Sequence, residues 1–268
     1  MSFLRFALDL GRTAACHPRW FLAESVRRLT DLRAHGNARF KYGLPQIYHH
    51  HLDPRLPRLP IELGGASWTD YSKAMIVARI CKLLQPSNVL EIGTFRGGMT
   101  FHIARNTADK CRIWTLDLPR EMLDEKMTTA MIDSDVDLAR MDPSRVGEEW
   151  QNTPEAQKIV QLWGDSRHFD FTGFGPFELI YVDGSHAEPW VEKDTENAFR
   201  LLSPTGAILW DDCDWRDVQS VLGRYGRTHP IYLFEDGHTA GYIRIDGRPL
   251  VLDKRRASLG TSQRGPSA

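Results

Sequence analysis

A chain of 268 residues in which 41% are hydrophobic carries enough apolar material for a large core, which excludes wholesale disorder. Its formal net charge of -1 at pH 7 excludes a dedicated nucleic-acid binder, which relies on a basic surface. The balance hides an asymmetry: residues 1–60 carry 10 Lys+Arg and 4 Asp+Glu, so the rest of the chain sums to -7.

The first stretch, "SFLRFALDLGRTAAC", is partly apolar and ends in small residues before Cys16. Arg5, Asp9 and Arg12 interrupt it, so no signal-peptide core forms. No stretch reaches the roughly 18 uncharged apolar residues of a spanning helix. The expectation is a soluble, cytoplasmic protein. Trp20 to Arg33 reads as a basic amphipathic helix, with Phe21, Leu22, Val26, Leu29 and Leu32 on one side and Gly36 placed to stop it. Such a helix can lie on an anionic membrane. The preferred reading packs it on its own domain or on a sister subunit, making a homo-oligomer. Residues 43–65 hold four prolines and the run His49, His50, His51, and read as a connector. The tail from Asp253 is polar, basic and Gly/Ser-rich, the composition of a disordered end. The expected organisation is therefore a helical extension and connector over 1–65, one domain over 66–252, and a tail over 253–268.

Within that domain, strand and helix patterns alternate. Thr69–Leu84 reads as a helix, Asn88–Ile92 as a strand, Gly98–Asn106 as a helix and Arg112–Leu116 as a strand. Short strands follow at Ile159–Trp163, Glu178–Val182 and Ala207–Trp210, with helices at Pro189–Leu202 and Val218–Tyr225. Ile231–Phe234 and Ala240–Ile245, around Asp236-Gly237, read as a closing hairpin. Alternation of this kind predicts a doubly wound, Rossmann-like α/β fold with a mostly parallel sheet and an antiparallel strand near the end. Cys16, Cys81, Cys111 and Cys213 form no CxxC and read as buried reduced thiols.

Ligands of open parallel sheets sit beyond the carboxyl ends of the strands. This chain ends strand after strand on an acid there: Asp117, Asp165, Asp183, Asp211 and Asp212. One or two would pass as helix caps; five on one rim ask for cations or hydroxyl-rich ligands. "VLEIGTFRGGMT" narrows the ligand. A dinucleotide turn needs glycine where Phe95 stands, so a nicotinamide dehydrogenase is the weakest reading. The spacing is instead Glu91, Gly93, Gly97, with Asp117 ending the next strand. That carboxylate suits the two hydroxyls of a ribose, and Asp165 with Ser166 suits an adenine amino group.

With "WTLDLP", "LWGDSRHF" and "FELIYVDGSHAEPWVEKDTENAFRLLSPTGAILWDDC" added, the chain resembles the class I S-adenosylmethionine-dependent methyltransferases from Trp68 to Ile245. It is most similar to their metal-dependent O-methyltransferase group, which includes catechol-type, macrolide-sugar and cephalosporin hydroxylase-like proteins. The resemblance implies a seven-stranded sheet and S-adenosylmethionine held by Glu91, Gly93, Thr94, Phe95, Gly97, Asp117, Asp165, Ser166 and Asp183, with Gly93 and Gly97 under its methionine part. It implies Mg²⁺ on Asp183, Asp211 and Asp212, His186 as general base, Asp183 beside it in catalysis, and a small-molecule or sugar hydroxyl as methyl acceptor. Hard carboxylate oxygens suit Mg²⁺, and a divalent ion acidifies a poor hydroxyl nucleophile. "SPTG" at Ser203–Gly206 departs from the family and is expected to alter only a turn; Ala187-Glu188-Pro189 replaces an aromatic near the acceptor. Two further classes remain open: a cephalosporin hydroxylase-like or non-catalytic nucleotide-binding protein, since fold does not fix reaction, and a scaffold that uses its N-terminal helix at a membrane or partner.

Overall fold

The computed structural model describes residues 44–45, 60–64 and 69–251. The expected helix at Trp20–Arg33, the histidine run, Cys16 and the tail over 253–268 lie outside the described residues. Element labels follow chain order: α1 (Tyr71–Leu84), β1 (Asn88–Ile92), α2 (Gly98–Arg105), β2 (Arg112–Asp117), α3 (Glu125–Ala130), α4 (Asp133–Ala139), β3 (Ile159–Trp163), β4 (Phe177–Val182), α5 (Glu188–Leu201), β5 (Leu202–Trp210), α6 (Arg216–Tyr225), β6 (Tyr232–Leu233), β7 (Ala240–Ile245) and β8 (Arg248–Pro249).

The sheet runs β3-β2-β1-β4-β5-β7-β6, with β8 added to β7 as an eighth strand. β1 to β5 are mutually parallel, and β7 runs antiparallel to both β5 and β6. Period-2 alternation sends each strand's side chains into two cores. Val89, Leu179, Tyr181, Ala207 and Leu209 join Ile76, Ile80 and Ile103 of α1 and α2. Leu90, Ile92, Ile180, Val182, Ile208 and Trp210 join Val191, Ala198 and Leu222 of α5 and α6. Burial on both faces explains why these strands read as nearly continuous apolar runs. Cys81, Cys111 and Cys213 are free, buried thiols.

α1 starts where Asp70 caps it: the Ser72 N–H donates to Asp70 Oδ1 at 2.8 Å. Part of the expected connector belongs to the folded body. Leu44 is buried at 2% exposure, the Leu233 N–H donates to the Pro45 carbonyl at 3.0 Å, and Arg105 pairs with Glu62 at 3.1 Å. "SPTG" is not a turn. Ser203 to Gly206 lie inside β5, which begins directly after α5, and the β4–β5 register shifts between Phe177 and Leu179. A Cβ at Gly206 would lie 2.7 Å from the Glu178 carbonyl oxygen, so the glycine lets two backbones pass at the bulge. Among the described residues no helix is long and apolar enough to cross a membrane.

Candidate active site

Strand order reverses between β1 and β4, which opens a crevice at their carboxyl ends. Backbone bonds carry the ladders one residue past the strands: Gly93 N–H to Leu116 O at 2.8 Å, Asp183 N–H to Ile92 O at 2.8 Å, Asp211 N–H to Val182 O at 2.9 Å and Gly164 N–H to Asp117 O at 2.9 Å. The ends of β1 to β5 are thereby level, and Asp117, Asp165, Asp183, Asp211 and Asp212 share one edge. A cavity of about 120 Å³ there is lined by Gly93, Phe95, Asp117, Asp165, Ser166 and Asp183, together with Leu118, Met131, Asp135 and Leu138 from the segment between β2 and β3. It shares Trp163, Gly164 and Asp165 with a wider groove of about 810 Å³.

The glycine turn is built for close approach of protein to protein. Gly93 has φ +94°, and a Cβ on it would lie 1.9 Å from the Asp183 carbonyl oxygen. Gly97 has φ +83°, and its Cβ would meet Trp150 at 2.3 Å. Gly97 therefore packs under Trp150 and is not among the residues that line the cavity. Thr94 also stays off the cavity lining: its hydroxyl lies 2.7 Å from that of Thr115. Phe95 holds a left-handed φ of 49° and does line the cavity. Alternation along β1 points Glu91 at α2, where its carboxylate accepts from the hydroxyls of Thr100 and of Thr115, the latter at 2.6 Å. It is 1% exposed, and burial pushes its pKa up to about 7. It pins the turn from beneath.

Asp117 accepts from the backbone N–H groups of Thr94 at 3.1 Å, Phe95 at 2.7 Å and Leu118 at 2.8 Å. Burial outweighs these donors and lifts its pKa to about 6. Asp165 is engaged internally. The Arg167 guanidinium donates to both its oxygens, from Nε at 3.1 Å and Nη2 at 2.8 Å, and His168 Nδ1 lies at 2.9 Å. Burial favours its acid form, but these partners outweigh burial and hold the pKa below the ordinary value. Arg167 itself stacks 3.7 Å over the ring of the buried Trp190. The carboxylate expected to read adenine thus already answers a cation, while Ser166 is buried beside it.

At the other end of the crevice, acids crowd. One ligand atom each from Asp183, His186 and Asp212 lie within 4.8 Å of one another. Burial first, then Asp211 and Asp212, raise Asp183 well above the usual carboxylate range. Asp211 is raised by burial and by Asp212. Asp212 sits at φ 48° and offers Oδ2 to His186 Nε2 at 2.9 Å. Two residues that sequence reasoning missed complete the cluster. Lys73, from α1, places Nζ 2.8 Å from Asp211 Oδ1 and 2.7 Å from Asp212 Oδ1. Asp135, from α4, accepts from His186 Nδ1 at 2.7 Å, from the His186 backbone N–H at 2.7 Å and from Ser185 Oγ at 2.8 Å. His186 stacks on Trp215, with ring centroids 4.6 Å apart. Burial would lower its pKa, but Asp135 and Asp212 raise it to about 10. Both ring nitrogens thus face carboxylates, an arrangement that favours the protonated ring.

Four carboxylates, of Asp135, Asp183, Asp211 and Asp212, face two cations, of Lys73 and His186. The crowding of these carboxyl groups, which helps raise Asp183 and Asp211, and their hard oxygen donors fit a divalent ion such as Mg²⁺.

Residues 90–213 match a family model described as a methyltransferase domain. No curated protein matches the chain. Among solved structures, the chain is similar to the O-methyltransferase TomG from Streptomyces achromogenes, involved in tomaymycin synthesis and solved with SAM, at 16% identity over 72% of this chain and 96% of that one, with a TM-score of 0.46. It is similar to the SAH-bound methyltransferase PaMTH1 of Podospora anserina at 17% identity over 82% and 95%, TM-score 0.45. It is also similar to an O-methyltransferase from Bacillus cereus in complex with SAH, at 18% identity over 73% and 89%, TM-score 0.43. These distant likenesses place no residue of the site. The match over residues 90–213 likens that part of the chain, which includes the glycine turn at Gly93, to methyltransferase domains, and the strand order is that of a Rossmann-like sheet.

Proposed function

We propose that the protein is an O-methyltransferase that moves the methyl group of S-adenosylmethionine to a hydroxyl of a small molecule or sugar, with a divalent ion at the acid cluster. The carrying observation is the convergence of Asp117 and the Asp183–His186–Asp212 group on one crevice at the β1/β4 reversal. The 120 Å³ cavity is too small for a whole nucleoside cofactor, whose sites run to about 300 Å³ or more, so a bound cofactor would need the adjoining groove as well. Asp117, on the cavity wall, would take the ribose, and Asp183, on the same wall, would lie toward the sulfonium.

Asp183, Asp211 and Asp212 would hold the ion. Such an ion, when bound, lowers the pKa of an acceptor hydroxyl and aligns its oxygen for in-line attack. His186 receives the hydroxyl proton. Its present pairing with two carboxylates keeps it protonated, so it becomes a base only when Asp212 turns to another cation. Asp135 holds the ring by Nδ1 and leaves Nε2 toward Asp212 and the acceptor.

Calorimetry with S-adenosylmethionine, followed by turnover with hydroxylated acceptors with and without EDTA, tests this reading. Asp117→Ala weakens cofactor binding strongly. His186→Ala retains cofactor and ion but slows turnover by roughly 10²–10⁴, the usual worth of a general base. Full activity in excess EDTA with Asp212→Ala unimpaired would reduce the acid cluster to helix caps and loop ties.

A further inference from the structure

Lys73 occupies the third position of α1, in the first turn of a helix of 14 residues. The helix dipole is positive at that end and disfavours a cation there. The side chain is nonetheless 14% exposed and sends its ammonium to acids 138 and 139 positions away in sequence. It lies in the notch between Asp211 and Asp212, in hydrogen-bond contact with Oδ1 of each. Oδ2 of Asp212 is taken by His186, so every side-chain oxygen of that residue already answers a cation. An ion bound by the same carboxylates would stand within a few ångströms of Nζ, where two positive charges repel strongly.

We propose that Lys73 is a built-in competitor for the divalent ion: its ammonium fills the Asp211–Asp212 notch while the ion is away, withdraws when the ion arrives, and so sets the ion's affinity. The inference rests on the metal reading above. Lys73 is a positioning residue in this account. Without it, Asp211 and the Oδ1 of Asp212, adjacent at the end of β5, would lose the cation between them whenever the ion left, and only His186 would remain on Asp212. With it, the site stays assembled and the ion must displace a bound charge. At an effective interior dielectric, a unit charge about 4 Å from the ion is worth several factors of ten in affinity before relaxation. Its removal should tighten the ion by at least about tenfold.

The experiment titrates the full chain with Mn²⁺ alone, by electron paramagnetic resonance, in wild type, Lys73→Met and Lys73→Arg. Lys73→Met binds at least about tenfold tighter than wild type, and Lys73→Arg, which keeps the charge, stays within about threefold of it. Binding in Lys73→Met that equals or falls below wild type overturns the competitor role and leaves the metal reading standing. Tightening in Lys73→Arg as large as in Lys73→Met also overturns it, because charge would not be the cause. No Mn²⁺ binding in any of the three removes the metal reading and the competitor with it. Should Lys73→Met lose its circular-dichroism fold, the wild type decides. Acetylation of Lys73 by an amine-acylating reagent, read by peptide mass spectrometry, rises when Mn²⁺ saturates the protein. Acetylation that is unchanged or falls overturns the proposal.

Discussion

Gly93→Ala is a single-methyl change whose cost follows from the geometry. The new Cβ would lie 1.9 Å from the Asp183 carbonyl oxygen, 2.5 Å from the Asp183 carbonyl carbon and 3.0 Å from the Gly184 nitrogen. All three are backbone atoms of the neighbouring strand end, so no side chain can swing aside. Relief requires β1 and β4 to part at the crevice. That loosens the Asp183 N–H to Ile92 O bond and the Gly93 N–H to Leu116 O bond, each 2.8 Å long. Two such bonds are worth about 1–3 kcal/mol net, and a φ of +94° adds about 1–3 kcal/mol of strain for a residue with a side chain. The total, about 2–6 kcal/mol, is a large share of a typical domain's stability. Gly237→Ala is the control: its φ is +77° and nothing lies within 4 Å of its Cβ, so only strain of about 1–2 kcal/mol applies. Thermal melts should show Gly93→Ala about 5–20 °C below wild type and Gly237→Ala only a few degrees below. Cofactor affinity should fall in the first variant alone, since Asp183 moves with the strand. Equal melting losses in the two variants would refute the argument that backbone approach sets the need for glycine at position 93.

Two titration predictions follow from buried groups. His186 is held at about 10, above its ordinary 6.5, so its pairing stabilises the fold fully below about pH 6.5 and ceases to do so as pH rises through about 10. Asp135→Asn should lower the imidazole pKa, followed by NMR, by about 1–3 units, and its stability deficit should be widest near pH 6 and close by about pH 10; an unshifted imidazole would show that Asp135 contributes nothing to it. Glu91 is raised by burial from 4.5 to about 7, so its stabilising contribution is complete below about pH 4.5 and lost as pH rises through about 7. Glu91→Gln, with an amide oxygen for the two threonine hydroxyls, should gain up to about 3 kcal/mol on wild type in denaturant melts between pH 5 and pH 8, and a constant difference across that range would contradict the buried carboxylate.

Much of the sheet was legible in the chain because strands buried on both faces leave local, unbroken apolar runs. Asn88–Ile92, Ile159–Trp163 and Ala240–Ile245 have the bounds their composition implies, and the acids at the ends of β2 to β5 sit on one edge because parallel strands end together. Local signals misled where a residue's usual role was not its role here. Pro204 and Gly206 look like turn formers, yet they stand in β5, where Gly206 serves a backbone crossing with Glu178. Spacing sets Glu91 in a ligand motif, while its hydrogen bonds to a pair of threonine hydroxyls came only with the fold.

The sequence by itself determined the alternation of elements, the glycine turn and the acidic rim, since each is written in neighbouring residues. Only the tertiary structure decided how the rim's charge is answered. Lys73 meets Asp212 across 139 residues, and Asp135, from a segment with no motif of its own, meets His186 across 51. Strand order and crossovers set those meetings, and no periodicity along the chain encodes which distant side chains a crossover brings together. A lysine placed against its own helix dipole in the first turn of α1 was the one local sign that an acid waited elsewhere in the fold.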